Sequence, residues 1–221
     1  MAGSPRLTIN GKTLTRRVWA LLGDAKHAAD IPDGAARVVQ GSWSGNVRAS
    51  AGTHNGGGAF DLSVAGLSRD KQLRLVHELR RRNVAAWLRS PEFGWPSRLG
   101  MAHIHGIVRD DPGLSWGARS QAIAYRLGRN GLASRRKDPH PRPAAYPFVM
   151  PGDARLADLK YGKRNGSVRA LQKALRIAED AWYGPATDRA VREHQRRHGL
   201  AVDPAGKSFV GPVQARLLGL T

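Results

Sequence analysis

No cysteine occurs in the 221 residues. Disulfides and thiolate metal sites are therefore excluded, and any metal must be held by histidine and carboxylate. Acidic residues are also scarce: 17 Asp+Glu stand against 36 Lys+Arg, a formal net charge of +19. Such a balance favours anionic partners such as nucleic acid, an acidic polymer or an anionic surface. A solvated basic surface would need no partner at all. The excess is spread along the chain, with no basic block interleaved with aromatics, so no nucleic-acid partner is expected. Long apolar runs are missing too. No stretch approaches the roughly 20 apolar residues of a membrane span, so no membrane association is expected. The N-terminal run from Met1 to Ile9 lacks an apolar segment of signal-peptide length, and synthesis in the cytoplasm is expected. The length allows one or two domains.

What is present centres on Ser50-Ala-Gly-Thr-His-Asn-Gly-Gly-Gly-Ala-Phe-Asp61. His54 and Asp61 flank the run Gly56-Gly57-Gly58-Ala59. Glycine lets a backbone turn sharply and approach closely, so this loop is expected to bring imidazole and carboxylate together. Both are good zinc ligands. Downstream, Met101–Val108 reads as a strand carrying His103 and His105, which share a face because side chains two apart on a strand point the same way. The set offers four donors. A catalytic zinc commonly uses three and keeps one position open, which leaves one histidine for the chemistry. The plainer alternative is a glycine-rich hairpin with strand histidines bonded to the backbone. No His-Glu-x-x-His occurs, and no glutamate lies beside the second motif, so a histidine must act as acid or base.

The two motifs, Ser50-x-x-Thr-His54-x-x-Gly-Gly58-Ala-x-Asp61 and His103-x-His105, resemble those of the zinc D-Ala-D-Ala carboxypeptidase and L-Ala-D-Glu endopeptidase family. The resemblance covers roughly residues 7–133. Three residues separate Ser50 from His54, where the usual Ser-x-His pattern has one, so Ser50 departs from that pattern. The likeness implies zinc held by His54, Asp61 and His105, with His103 acting on the reaction. It implies cleavage of an amide bond in the peptide part of bacterial peptidoglycan. It also places an arginine or glutamine near the preceding strand end against the substrate carbonyl. Gln40 is the residue expected there, with Arg48 a weaker rival, and its amide donates without competing for zinc. Ser50, Trp87 and Trp95 are expected along the substrate groove. A wall-cutting enzyme without its own export signal resembles a phage lysin, acting on the wall after release. Such an enzyme is expected to be a monomer.

In chain order, Leu7–Lys12 reads as a strand and turn. Thr13 is expected to cap a helix with a core stripe of Leu14, Val18, Leu21 and Leu22. Ala36–Trp43 reads as a strand leading into the first motif, and Phe60–Val64 as another. Ser68 is expected to cap a helix from Arg69 to Arg82. The run Arg80-Arg81-Arg82 at its end is explained by the helix dipole. Val84–Arg89 reads as a further strand, Glu92–Leu99 as a loop, and Ser115 caps a helix through Leu127. The expected fold of residues 1–134 is thus α+β, a small antiparallel sheet with flanking helices and a zinc site.

Residues 135–152, with Arg135-Arg136-Lys137 and closely spaced prolines, read as a semi-rigid linker. Residues 153–221 then open a second module. Tyr183-Gly184-Pro185 and Val210-Gly211-Pro212 each begin a helix, since proline suits the first helical turn. This internal repeat resembles the small three-helix peptidoglycan-binding domain found beside many wall hydrolases. Glu179-Asp180-Ala181 stands where that domain usually has Asp-Gly. Bacterial peptidoglycan is accordingly the expected partner. A non-catalytic wall-binding or phage structural protein is the alternative, and a basic nucleic-acid binder a more distant one.

Overall fold

In a computed structural model, the structure describes residues 5–45, 47–145, 148–149, 158–200, 202, 208 and 210–220, apart from the side chains of Arg48, Pro212 and Val213. Arg48 as a rival to Gln40 therefore lies outside the described side chains; linker residues 146–147 and 150–152 and the first residues of the second module, 153–157, lie outside the described residues. The chain divides into two units, 1–145 and 146–221.

The first unit begins with an antiparallel hairpin, β1 (Arg6–Ile9) and β2 (Lys12–Thr15), turned at Asn10-Gly11 with both residues at positive φ. Thr15, not Thr13, caps the first helix, α1 (Arg16–Ala28): its hydroxyl accepts from Val18 N at 3.2 Å. Thr13 is still within β2, so the chain starts its helix two residues later than expected. The stripe Leu14, Val18, Leu21 and Leu22 is buried as its spacing requires.

Four antiparallel strands make the main sheet: β3 (Val38–Gln40), β4 (Ala59–Ser63), β5 (Val84–Arg89) and β6 (His103–Val108), in the order β3-β4-β6-β5. Helix α2 (Arg69–Arg81), capped by the Ser68 hydroxyl, packs against β5 and α1. Helix α3 (Trp116–Arg126), capped by Ser115, adjoins the other face, where Ala59, Ala85, Trp87, Ile107, Ala118 and Tyr125 form a buried cluster. Gly106 has a steric reason: a Cβ there would collide with the Phe60 ring.

The buried arginines of α2 have a different role from the dipole explanation. Arg80 is 0 % exposed, and its guanidinium pairs with Asp138 at 2.7 Å. It also donates to the carbonyls of Ala86, His140 and Pro141. Arg82 pairs with Asp24 and Glu78. These are internal ties, costly to break because losing one partner strands a buried charge. They also draw residues 135–141, expected in the linker, onto the first unit. Asn130 N donates to Arg136 O and Asp138 N to Gly128 O, both at 2.8 Å.

The second unit contains α4 (Gly166–Ala174), α5 (Pro185–Arg197) and α6 (Pro212–Leu217). Asn165 caps α4, and Pro185 and Pro212 sit in the first turns of their helices. Leu159, Val168, Leu171, Tyr183, Val191, Val210, Ala215 and Leu220 form its core. Ala181 is buried at φ 61, the left-handed conformation glycine adopts most easily. Its N–H is held by the Gln172 side-chain carbonyl at 2.8 Å. Among the described residues no helix is long and apolar enough to cross a membrane.

Candidate functional site

Strand register assembles the site. Asp61 on β4, His105 on β6 and Trp87 on β5 face one another across the sheet. Ser63, His103 and Arg89 form the adjacent row. All six therefore share the face that α3 flanks. His54 comes from the loop. It sits in a single 3-10 turn, Thr53–Asn55, entered through Gly52 at φ 72. Ser115 fastens that turn: its hydroxyl lies 2.8 Å from Gly52 O and 3.0 Å from Thr53 O, while capping α3. The glycine run is required by close approach, not by flexibility. A Cβ on Gly56 would run into the Gly113 carbonyl, and one on Gly58, at φ 74, would strike Asp111 at 2.7 Å.

The expected juxtaposition of His54, Asp61 and His105 is present. Asp61 Oδ1 lies 2.7 Å from His105 Nδ1 and 3.4 Å from His54 Nε2. One ligand atom from each of the three residues lies within 4.8 Å of the others, and all three residues are buried. His103 is adjacent, with Nε2 3.9 Å from Asp61 Oδ2. Burial pushes the Asp61 carboxyl upward, but His105 and His54 outweigh it and hold it well below the usual carboxylate range. Burial pushes His105 down to about 4, against the opposing pull of Asp61.

This donor set fits a metal ion. His54 Nδ1 lies 2.8 Å from the Gly41 carbonyl, which can only accept, so Nδ1 carries the proton. In the neutral ring, Nε2 then presents a lone pair to a carboxylate oxygen. His54 Nε2 and His105 Nε2 are both buried with no hydrogen-bond partner. An unpartnered buried nitrogen costs about 1–3 kcal/mol; a cation beside Asp61 would remove that cost for His54 Nε2 and would meet His105 through Nδ1, the nitrogen that faces Asp61. Nitrogen and carboxylate donors without sulfur suit zinc.

In front of the three residues lies a cleft of about 270 Å³. Gln40, Ser50, Trp95 and His103 line it, along with Arg89, Gln121 and Leu132. Gln40 and Ser50 are mutually bonded: Gln40 Nε2 donates to Ser50 Oγ at 3.0 Å, and Ser50 Oγ is 3.2 Å from Gln40 Oε1. Trp95 presents its edge to His103 at 5.0 Å between ring centroids. Trp87 is not on the cleft. It is 2 % exposed, stacks behind His105 with the planes 15° apart, and donates to the Arg129 carbonyl. It lies opposite His105 on the edge strand β5 and is buried by Ala118 and Tyr125 of α3 and by the segment carrying Arg129 and Gly131. Arg89 and Gln121 were missed because nothing in their local spacing marks them. Arg89 becomes a site residue only once β5 is known to lie beside β6.

Residues 164–206 match the family model of the peptidoglycan binding domain. The second unit therefore carries a domain of the wall-binding type, and peptidoglycan is the partner this match supports. No curated protein and no solved structure matches the chain.

Proposed function

We propose that this chain is a zinc-dependent peptidase of bacterial peptidoglycan, lysin-like, with its catalytic unit held on the wall by the C-terminal domain. The observation that carries the reading is the buried His54–Asp61–His105 group opening onto a cleft, on a chain that also bears a wall-binding domain. Zinc in this group would act as a Lewis acid, polarising the scissile carbonyl and acidifying water. The chain's own residues supply the rest. The Gly41 carbonyl orients His54 by fixing its tautomer. Trp87 supports the His105 ring from behind.

His103 is the acid–base group in this reading. Its Nδ1 lies 2.9 Å from the Met101 carbonyl, so that nitrogen is the donor and Nε2 is free to take a proton. Nε2 sits beside Asp61 at the cleft. Such a group typically contributes about 10²–10⁴-fold to rate. Gln40, whose amide donates to Ser50 Oγ at 3.0 Å and to Ser44 Oγ at 3.3 Å, would donate to a substrate carbonyl by exchanging one of these bonds. Tethering to a polymeric substrate raises the local enzyme concentration without new contacts at the cleft.

The test is metal analysis of purified protein combined with mass spectrometry of digested peptidoglycan, with and without chelator. About one zinc per chain and a chelator-sensitive amide cleavage are expected. Metal-free protein with undiminished cleavage would sink the reading.

A further inference from the structure

Four arginines are buried among the described residues: Arg80, Arg82, Arg89 and Arg169. Three have a carboxylate within ion-pair distance, namely Asp138 for Arg80, Asp24 and Glu78 for Arg82, and Glu179 for Arg169. Arg89 has none. It is 3 % exposed, yet its Nη1 donates only to the Asn130 carbonyl at 2.6 Å, and its Nη2 reaches Gln121 Oε1 only at 3.5 Å. Its guanidinium carbon also lies 5.0 Å from the Trp87 ring centroid. Gln121, and Gly131 next to Asn130, line the same cleft that Arg89 lines.

A buried guanidinium without a paired anion is costly. Burial pushes Arg89 down to about 10, with Asp61 and Asp138 opposing from a distance. The stronger of these two influences, Asp61, is also the only anion of the candidate metal group. Metal binding would offset its charge and leave the cleft with an excess of positive charge. Arginine forms planar, bidentate pairs with carboxylates, which adds geometric selectivity to the charge.

We infer that Arg89, steadied by Asn130 and Gln121, is a carboxylate-binding subsite of the cleft, and that its ligand is a free carboxylate of a peptide substrate. The inference rests on the peptidase reading for the word substrate, but not for the binding itself. The carboxylate has two possible sources in a stem peptide. It is either the C-terminal α-carboxylate or the free carboxylate of an internal glutamyl residue.

The experiment titrates metal-free full-length protein calorimetrically, so that no turnover interferes. The probe is a synthetic stem pentapeptide ending in D-Ala-D-Ala, prepared as the free acid, with the terminus amidated, with the glutamyl carboxylate amidated, and with both amidated. Wild type is expected to bind the free acid at least about tenfold more tightly than the doubly amidated form, as a charge-assisted bond requires. The singly amidated form that loses this advantage identifies the source. In Arg89→Gln the acid-to-amide ratio is expected to fall to about one, while Arg89→Lys keeps part of it. Equal affinity for acid and amide in wild type overturns the inference, as does no binding of the acid, or an unchanged ratio in Arg89→Gln. Should Arg89→Gln fail to fold, the guanidinium NMR signals of wild type decide: a shift with the acid and none with the amide supports the subsite, and no shift overturns it. Separate digestion assays with zinc-loaded wild type keep the two ideas apart. Discrimination without cleavage sinks the peptidase reading alone, and cleavage without discrimination sinks the Arg89 subsite alone.

Discussion

Replacing Asp138 by alanine in the full chain tests whether the segment after α3 belongs to the first unit. Asp138 and Arg80 have side chains that are 0 % exposed, and their ion pair is 2.7 Å long. Removing one partner of such a pair leaves an uncompensated buried charge, at a cost of about 3–5 kcal/mol. The remaining acceptors of Arg80, the carbonyls of Ala86, His140 and Pro141, are neutral and only partly offset the loss. Asp138 also receives His140 N at 3.2 Å and Arg142 Nη2 at 3.4 Å, so the strap it anchors would loosen with it. Against a typical total of about 5–15 kcal/mol, the variant should lose a large part of the unit's stability. At about 3–4 °C per kcal/mol for a unit of this size, the transition should fall by roughly 10–20 °C. Calorimetry of the full chain reads this directly, with circular dichroism to assign the transition. The paired variant Arg80→Met/Asp138→Leu should recover much of the loss, because no charge is left stranded. A change below about 1 kcal/mol for Asp138→Ala would refute the reasoning and return residues 135–141 to the role of linker.

Truncation follows the same logic: a fragment ending at residue 145 should be more stable than one ending at 134, and equal melting temperatures would contradict it. Either fragment should bind intact walls less well than the full chain, and equal pull-down would remove the anchoring role from the C-terminal domain. At the cleft, Asp61→Ala and His105→Ala should lose zinc, whereas His103→Ala should keep it and turn over about 10²–10⁴-fold more slowly; metal analysis of the three variants checks this, and retention of zinc in His105→Ala would place the third ligand elsewhere. In the second unit, burial pushes His194 below its ordinary value of 6.5, with His198 beside it at 4.3 Å adding to the effect. The unfolded chain then takes up a proton before the folded one, so this contribution to stability is present above pH 6.5 and is lost as pH falls below it. The loss should vanish in His194→Gln, and an unchanged pH profile in that variant would exclude His194 as its origin.

Local chemistry was legible where one segment carried the whole pattern. Apolar spacing gave α1 its buried stripe, Ser68 and Ser115 cap the helices their positions announced, and the Gly-Pro steps open α5 and α6. His54, Asp61 and the His103–His105 pair were marked by residue type and spacing, because a site without cysteine has few ways to hold a metal. Helix starts were less certain. Thr13 and Thr15 are both able caps; the β1–β2 pairing runs through both, and Thr15, its last residue, is the one whose hydroxyl meets the first turn of the helix at Val18 N.

Tertiary structure decided what depends on neighbours remote in sequence. Trp87 and Trp95 look alike along the chain, but Trp87 lies on β5 opposite His105 and is covered by Ala118 and Tyr125 of α3, so it packs behind His105, while Trp95, on a loop, reaches the cleft. The three arginines ending α2 suggest a dipole effect in sequence, yet Asp24, some 58 residues from Arg82, and Asp138, 58 residues from Arg80, turn two of them into buried ties. Arg89 shows the limit most clearly. Its residue type was visible from the start, but a charge acquires meaning only from the partners that burial brings or withholds, and those are set by strand order and by the packing of α3.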